Sequence, residues 1–289
     1  MGMQKRAMAV QDISCVGRCS LTVALPILSA AGVNTAIVPT ALLSTHTGEF
    51  TGYTHLDLSD QLLPIAKHLG SLNLHYDAFY TGYLASPTQA DDVLEMLELL
   101  ADEQTHVFVD PAFGDHGRMY SLMAESMPAQ MRRLCQRANT IVPNLTEAAF
   151  LLGEPYPGDH ADRATVKRLC ERLCALGPDN VIVTDVSFDP EYTGAAVFRR
   201  DMDEPVFLCH ERFPGVFHGT GDVFASFLLG AILNGLSPEA AAALALRLTR
   251  HSIRLTLDGG EPLRYGVRFE QALPEYMAAL GLFKGVSGL

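Results

Sequence analysis

Short apolar segments alternate with amphipathic ones along the first two thirds of the chain. Six apolar segments have the length and composition of strands, at 7–13, 32–40, 78–82, 105–109, 140–143 and 180–184. The helical patterns that separate them cover about 20–31, 60–69, 87–101, 126–137 and 161–176. Strand–helix–strand units of this spacing predict a mostly parallel sheet, because parallel neighbours need a long crossover connection.

The last third of the chain departs from this alternation. Segments 193–200 and 205–212 predict an antiparallel pair joined by the acidic turn 201–204, so the sheet should be mixed at one edge. Three helical patterns follow, at 223–233, 238–256 and 269–280. The whole pattern therefore predicts an α/β fold with a mostly parallel central sheet and an antiparallel edge.

The composition favours one large core and a small-molecule partner. Hydrophobic residues make up 48% of the 289 residues and charged residues only 19%, which predicts a single domain over 1–289. With 21 basic and 33 acidic residues the net charge is −12, which argues against nucleic-acid and anionic membrane surfaces as partners. No apolar run approaches the roughly 20 residues of a membrane-spanning helix, so we expect a cytoplasmic protein.

A glycine-rich turn at 219–222 precedes the apolar segment 223–231. Gly219 and Gly221, on either side of Thr220, let the backbone aim successive N–H groups at one point. The following helix adds its free N-terminal donors, so the turn should hold an anion. No G-x-x-x-x-G-K-[ST] motif offers another phosphate site, and no lysine lies near a glycine-rich turn. The turn ends in Asp222, which is either a catalytic base or a helix cap.

Polar residues at the predicted carboxyl ends of the first two strands form a second candidate group. Asp12 closes the first apolar segment, and the polar loop 44–50 follows the second. Ligands of open α/β sheets bind at this edge of the sheet, so Asp12 and residues 44–48 are substrate-site candidates together.

Three acidic residues, Asp110, Glu147 and Asp222, are predicted on the same rim. Phosphoryl transfer needs a base near the attacking hydroxyl and a Mg²⁺ ion that neutralises developing charge. Mg²⁺ usually keeps several waters and takes one or two carboxylates, which suits Asp110 and Glu147, directly or through water. The alternative is helix capping for Glu147 and a turn role for Asp110, and spacing alone does not separate the two.

The order of motifs along the chain resembles that of the pyridoxal kinases of the ribokinase superfamily. The likeness extends over almost the whole chain, which makes it a stronger signal than a single glycine turn. The matching positions are Gln11, Gly17, S-T-H-T-G at 44–48, T-G-Y at 81–83, D-P-A-F-G-D at 110–115, Tyr120, V-P-N-L-T-E at 142–147 and G-T-G-D at 219–222.

The resemblance implies a three-layer α/β/α, ribokinase-like fold in a homodimer. It also implies ATP- and Mg²⁺-dependent phosphorylation of the 5′-hydroxymethyl group of a vitamin B6 vitamer, in salvage of pyridoxal 5′-phosphate. Asp222 would be the catalytic base and the amides of 219–221 the anion hole. The substrate side would consist of Asp12, Thr45, His46, Thr47, Gly48 and Tyr83. The metal and phosphate side would consist of Asp110, Asp115, Tyr120, Asn144, Glu147, Thr184 and Asp185.

Three positions depart from the pattern of these kinases. Asp12 replaces a Ser of many members, which bears on substrate choice. Val142 replaces Thr and has no hydroxyl to offer, which argues against a monovalent-cation requirement. Asp185 replaces a frequent Ser and puts a negative charge near the expected phosphates. For His46 and Tyr83, packing is the alternative to a site role.

Two other functions stay open. Hydroxymethylpyrimidine kinases of thiamin synthesis are related and phosphorylate a similar ring-bearing hydroxymethyl group, but they usually carry Cys where Asp222 stands. A non-catalytic B6-binding protein on the same fold is the other alternative, and the presence of Asp222 argues against it.

Overall fold

The computed structural model describes residues 4–121 and 123–282. Its strands are β1 Arg6–Val16, β2 Asn34–Thr45, β3 His55–Asp57, β4 Ala78–Thr81, β5 His106–Val109, β6 Gly114–Asp115, β7 Arg118–Met119, β8 Thr140–Ile141, β9 Asn180–Val186, β10 Tyr192–Arg199 and β11 Val206–Glu211. Its α-helices are α1 Leu21–Ala30, α2 Ser59–Ser71, α3 Pro87–Leu100, α4 Met127–Cys135, α5 Leu145–Leu151, α6 Arg163–Cys174, α7 Thr220–Leu233, α8 Pro238–Gly259 and α9 Leu273–Ala279. Two 3₁₀ turns, Leu263–Tyr265 and Glu270–Ala272, connect α8 to α9.

Nine strands form one sheet in the order β11-β10-β9-β8-β5-β4-β1-β2-β3. The six inner strands from β9 to β2 pair in parallel, and β10 and β11 continue the sheet antiparallel. The predicted mostly parallel sheet with an antiparallel edge is therefore confirmed. The sequence did not predict the antiparallel strand β3 at the opposite edge, or the separate two-stranded hairpin of β6 and β7.

The first two strands extend further than the apolar pattern predicted. β1 continues to Val16 and β2 to Thr45, so Thr45 lies in a strand and not in the loop predicted for it, and Asp12 lies in the interior of β1 and not near its end. The pairing of β1 with β2 shifts register between Gln11 and Ile13, beside Asp12. Such a bulge interrupts the ladder and re-aims side chains, which lets a carboxylate occupy a strand otherwise made of apolar residues.

Two hydrophobic cores cover the two faces of the sheet. Adjacent residues of β4 belong to different cores. Phe79 packs with α2 to α6, and Tyr80 packs with α1, α7 and α8. The same alternation holds in β5, where Phe108 lies on the α7 face and Val109 on the other. Side chains of a strand point alternately to opposite faces, so these apolar segments with no polar face are what a sheet covered on both sides requires. The structure is thus the expected three-layer α/β/α sandwich.

Helix α7 carries the glycine turn into the structure. Its residues from Val223 to Ala231 are buried, and it packs against α1 and α8. The Tyr276 hydroxyl donates a hydrogen bond to the Phe227 carbonyl at 2.8 Å and fixes the helix against α9. The start of α7 lies against Arg18, just beyond the end of β1, which places the turn at the carboxyl edge of the parallel strands. Among the helices of the described ranges, none is both long and apolar enough to cross a membrane.

Candidate active site

The glycine turn is built from two glycines with different surroundings. Gly219 is the N-cap of α7 in the left-handed region, with φ 72°, and a side chain there would overlap the Arg18 carbonyl. Only glycine adopts this conformation without strain. Gly221, in the first turn, has no heavy atom within 4 Å of where its Cβ would lie, so the helix start faces open space. The Thr220 hydroxyl donates to the Phe217 carbonyl at 3.2 Å and steadies the turn.

Asp222 projects from the first turn of α7 and is half-buried. Burial raises the pKa of Asp222 to about 7, and the nearby Asp12 carboxylate adds to the rise, while the Ser20 backbone favours the charged form. In the described ranges no hydrogen bond joins its side chain to the N–H groups of α7. The capping role is therefore not the one that the geometry supports, and a carboxylate with a pKa near 7 suits a general base.

Asp110 follows β5 directly and is 8% exposed. Its backbone N–H donates to the Thr81 carbonyl at 2.9 Å, which holds the residue after β5 to the end of the neighbouring strand β4. Burial, together with the Asp222 charge, raises the pKa of Asp110 well above its usual range. A carboxylate confined in this way is unfavourable unless a cation or a proton compensates its charge.

Glu147 is 2% exposed and caps α5. Its Oε2 accepts the Asn144 N–H at 3.0 Å, and the Asn144 side chain accepts the Glu147 N–H at 2.9 Å, which completes a capping box. Its Oε1 accepts the N–H groups of Phe113 and Gly114 at 3.0 and 3.3 Å. Burial and the Asp110 charge raise the pKa of Glu147 well above its usual range. The capping alternative is thus present in the structure, and any metal contact of Glu147 must share oxygens that already accept hydrogen bonds.

The carboxylates of the site suit a Mg²⁺ ion that keeps several waters, and they do not suit a metal held entirely by protein side chains. Over the described part of the chain, no group of three or more His, Cys, Asp and Glu side chains is arranged to hold a metal. Asp110 and Glu147, whose charges act on one another, offer two carboxylates. Mg²⁺ typically takes one or two carboxylates and completes its shell with waters and substrate phosphates, which is the donor set available here.

The predicted substrate residues Asp12 and Tyr83 are brought together. Asp12 is 5% exposed and accepts a hydrogen bond from the Ser14 hydroxyl at 3.3 Å. Burial raises the pKa of Asp12 despite bonds from Ser14 and Ser20. Burial also raises the pKa of Tyr83 to about 12, with a further contribution from the Asp12 charge. The two side chains therefore share one poorly hydrated region beside Asp222.

His46 has a role that the sequence did not predict. Its Nε2 donates to the Arg264 carbonyl at 2.6 Å, because a carbonyl can only accept, and its Nδ1 accepts the Gly48 N–H at 3.1 Å. Phe50 packs edge-on against both His46 and Tyr265, with ring centroids 5.0 and 5.5 Å apart. We call this group, His46, Gly48, Phe50, Arg264 and Tyr265, the clasp. The clasp holds the 46–50 loop to the 3₁₀ turn that follows α8.

The ring of His218 lies on the inner side of the clasp. Its centroid is 5.1 Å from that of His46, and a side chain at Gly48 would lie 2.6 Å from its ring. Burial lowers the pKa of His46, and the neighbouring His218 ring contributes to the decrease. Thr47 is exposed, and Thr45 lies at the end of β2 with a buried hydroxyl that has no partner in the described ranges.

A cleft of about 530 Å³ opens beside the glycine turn. Its lining includes Thr220 and Gly221 of the turn and the polar residues Asp115, Thr184 and Asp185. It also includes apolar side chains, from Phe213, Val216, Phe224, Leu246 and Ile253. Of the seven residues predicted on the metal and phosphate side, Asp115, Thr184 and Asp185 line this cleft.

Asn144 and Tyr120, also predicted on this side, do not line the cleft. The Asn144 amide donates to the Gly114 carbonyl at 2.7 Å and so holds the β6–β7 hairpin to α5. Tyr120 follows the hairpin and is 42% exposed. The structure gives Asn144 a supporting position behind the cleft.

Four buried polar residues near the candidate site received no role from the sequence analysis: Gln11, Tyr80, Thr81 and Ser226. Two of them, Gln11 and Thr81, belong to the matching motifs. All four are 0% exposed, and their side-chain polar atoms have no hydrogen-bond partner in the described ranges. Burial raises the pKa of the Tyr80 hydroxyl, and the charges of Asp110 and Asp222 add to the rise, so Tyr80 lies near both carboxylates. A glutamine inside an apolar strand was the available signal, since buried polar groups without partners are rare.

A glycine turn at a helix start with three buried or half-buried carboxylates near it is compatible with a phosphotransferase, and comparison with known proteins agrees. The model of the phosphomethylpyrimidine kinase family matches residues 25–264. The chain belongs to this family. It is therefore a kinase, and the resemblance to the pyridoxal kinases of the ribokinase superfamily is confirmed by the relatives below.

Members of the family include proteins with both substrate names. The pyridoxine/pyridoxal/pyridoxamine kinase of Bordetella avium is 28% identical over 86% of this chain and 84% of its own. A putative phosphomethylpyrimidine kinase from Bacteroides thetaiotaomicron, crystallised with pyridoxal, is 35% identical with a TM-score of 0.89 and covers 94% of this chain and 95% of its own. Pyridoxal kinase from Lactobacillus plantarum is 30% identical with a TM-score of 0.87 over 95% and 97% of the two chains.

Proposed function

We propose that this protein transfers the γ-phosphoryl group of ATP to the 5′-hydroxymethyl group of a vitamin B6 vitamer, with Mg²⁺, and so salvages pyridoxal 5′-phosphate. The observation that carries the proposal is the position of Asp222. Its charge acts on Asp110 on the metal side, and the Asp12 charge acts on it from the substrate side. The names of the Bordetella and Lactobacillus relatives, and the pyridoxal in the Bacteroides crystal, support the choice of substrate.

Asp222 acts as the general base in this reaction. It accepts the proton of the hydroxymethyl group as the oxygen attacks, and its pKa of about 7 keeps a large fraction ionised at neutral pH. The N–H groups of the glycine turn hold the transferring phosphoryl group at the positive end of α7. Asp110 would hold Mg²⁺, with Glu147 contributing directly or through water, and an ion bound there would supply positive charge to the phosphate oxygens.

The vitamer lies between Asp12 and the clasp. Asp12 favours a protonated ring nitrogen through charge and hydrogen bonding, and Tyr83 contributes a wall next to it. Thr45, His46, Thr47 and Gly48 form the opposite wall. Both His46 nitrogens already bond to backbone groups, so His46 shapes this wall and makes no hydrogen bond to the ring.

The remaining expectations concern cations and assembly. Val142 is 4% exposed and offers no oxygen from its side chain, so we propose that no monovalent cation binds there. We also propose a cytoplasmic homodimer. Support for the dimer comes from the edge of the sheet, where the paired residues Leu42 and Leu56 are 39% and 56% exposed.

Hydroxymethylpyrimidine is the second candidate substrate, because the matching family model and the Bacteroides relative both carry the phosphomethylpyrimidine kinase name. ATP consumption with pyridoxal, pyridoxamine, pyridoxine and hydroxymethylpyrimidine, each with and without Mg²⁺, separates the two. We expect turnover of at least one vitamer, abolished by chelation and restored by Mg²⁺. Turnover of hydroxymethylpyrimidine with no turnover of any vitamer would replace the proposal by the alternative.

A further inference from the structure

The cleft beside the glycine turn has an unfavourable charge for a polyphosphate. Three carboxylates line it, from Asp115, Asp159 and Asp185, and the whole chain carries a net charge of −12. Among the residues that line the cleft, Arg212 is the one lysine or arginine. A nucleotide triphosphate brings several further negative charges, so a cation at this position has a large effect on its affinity.

The backbone of Arg212 is held firmly while its side chain is left exposed. Arg212 directly follows β11, and its N–H donates to the Glu191 carbonyl at 2.7 Å, next to the Tyr192–Glu211 pair of the ladder. In residues 4–121 and 123–282, no carboxylate lies within 4 Å of its guanidinium. Arg199 and Arg200 at the other end of the same strand pair are, by contrast, both bonded to aspartates. Arg212 therefore keeps its hydrogen-bonding capacity for a ligand in the cleft.

Asp185 faces the same space and is unusual in its backbone. It has φ 57°, a left-handed conformation that aspartate tolerates better than most residues. The surroundings of the cleft and the nearby Asp115 raise the pKa of Asp185, while the positive charge of Arg212 lowers it. Asp185 and Arg212 thus act on one another, and each changes what an anion between them would experience.

We propose that Arg212 binds the phosphate chain of the nucleotide and offsets the negative charge of Asp185 at that place. A guanidinium presents two parallel N–H donors to a phosphate, and such charge-assisted pairs are among the strongest hydrogen bonds in proteins. Asp185, which would otherwise repel the phosphates, becomes tolerable because Arg212 lies on the same cleft. This role of Arg212 rests on the proposed function, in which the protein binds a nucleotide.

The test is direct binding of nucleotides to the full chain by titration calorimetry, with no vitamer present. Adenosine, AMP, ADP and the ATP analogue AMP-PCP are compared in the wild type and in Arg212→Gln. We expect adenosine to bind both proteins equally, and ADP and AMP-PCP to bind the variant about tenfold or more weakly. The first ligand in the series that shows the loss identifies the phosphate that Arg212 contacts.

Two further comparisons keep the test specific. Arg132→Gln removes an equal charge from the exposed face of α4, outside the cleft, and should bind all four ligands as the wild type does. Asp185→Asn should tighten ADP binding, and the double variant Arg212→Gln/Asp185→Asn should recover part of the loss. Arg212→Lys should give an intermediate affinity, because it keeps the charge and loses the fork.

Equal affinities of Arg212→Gln and Arg132→Gln for ADP and AMP-PCP would overturn the proposal. An equal loss for adenosine would do so as well, because it would place the effect of Arg212 away from the phosphates. Since no vitamer is present in these titrations, a wild type that phosphorylates hydroxymethylpyrimidine and no vitamer would refute the proposed substrate and leave the result for Arg212 unaffected.

Discussion

Asp222 and Asp110 are two aspartates of the candidate site that differ in their surroundings. Asp222 is half-buried in the first turn of α7, and its pKa of about 7 lets it lose and regain a proton near neutral pH. Asp110 is 8% exposed, and burial together with the Asp222 charge raises its pKa well above the usual range. The proposed division of roles, with Asp222 as the base and Asp110 as a metal ligand, rests on this difference in environment.

The first prediction concerns Asp222→Asn. We expect kcat to fall about 10²-fold or more while ADP affinity stays unchanged, because the amide cannot accept the hydroxyl proton. In the wild type, kcat should decline as pH falls through about 7, the pKa of Asp222, because only the ionised base is competent. Asp60→Asn, which changes an acidic residue in the first turn of α2, is the control and should keep wild-type kcat. A near-normal kcat in Asp222→Asn would remove the base assignment.

At the scale of elements, the two glycines of the turn have separable functions. Gly219 allows the chain to pass Arg18 in a left-handed conformation, and Gly221 leaves the first turn of α7 open to the cleft. Gly219 thus permits the backbone conformation of the turn, and Gly221 leaves space beside the helix start. They occur two residues apart and cannot be distinguished from composition.

The second prediction compares Gly219→Ala with Gly221→Ala. The first should lower the melting temperature and the activity together, because its methyl group overlaps the Arg18 carbonyl. The second should fold with nearly wild-type stability and raise the KM for ATP several-fold, because its methyl group enters the space beside the N–H donors. Thermal unfolding and steady-state kinetics of the two variants check this. Equal effects of the two substitutions on stability would contradict it.

Most elements could be predicted from the sequence because their apolar patterns are long. The strands of the parallel core lie in continuous apolar segments such as 78–82 and 180–184, and helices such as α3 have enough residues to show a period. Strand β3 has three residues and β6 and β7 have two each, too few for any pattern, and they exist because of pairing with a neighbour. The last two residues of β2, Ser44 and Thr45, are polar and were assigned to a loop for that reason.

In the candidate site, too, the features that are local in sequence were predicted and those that depend on distant residues were not. The glycine turn, Asp222 and the Asn144–Glu147 capping pattern are local in sequence and were readable. The clasp joins His46 to Arg264, 218 positions away, so no window of sequence contains it. Arg212 is an ordinary arginine at the end of a strand, and only the shape of the cleft distinguishes it.

For the whole molecule, the burial of Asp110 and Glu147 makes the stability of the fold depend on pH. Asp110 has a folded-state pKa raised above its unfolded value of 3.8. Its contribution to stability is then fully present below that unfolded pKa and is lost as pH rises through the folded one. At neutral and alkaline pH without metal, the free energy of unfolding is therefore lower than it would be with a neutral residue at this position.

The third prediction follows for Asp110→Asn. In EDTA at pH 8 we expect this variant to melt a few degrees higher than the wild type, since roughly 1 kcal/mol shifts the midpoint by 2–4 °C in a chain of this order of size. At pH 4 the two midpoints should converge. Millimolar Mg²⁺ should raise the wild-type midpoint more than that of the variant. A variant that melts below the wild type in EDTA at pH 8 would show that the Asp110 charge is already compensated by the protein.

As the pH falls, Asp222, the proposed base, becomes protonated before His46 of the clasp. This order has a consequence for activity on mild acidification. The clasp needs neutral His46, whose pKa lies below its usual 6.5, whereas Asp222 takes up its proton near pH 7. On mild acidification Asp222 is therefore protonated first, while the hydrogen bonds of His46 still hold the 46–50 loop in place. Under the proposed function, turnover would then stop on mild acidification while the proposed substrate wall is still in place, and it would resume on neutralisation.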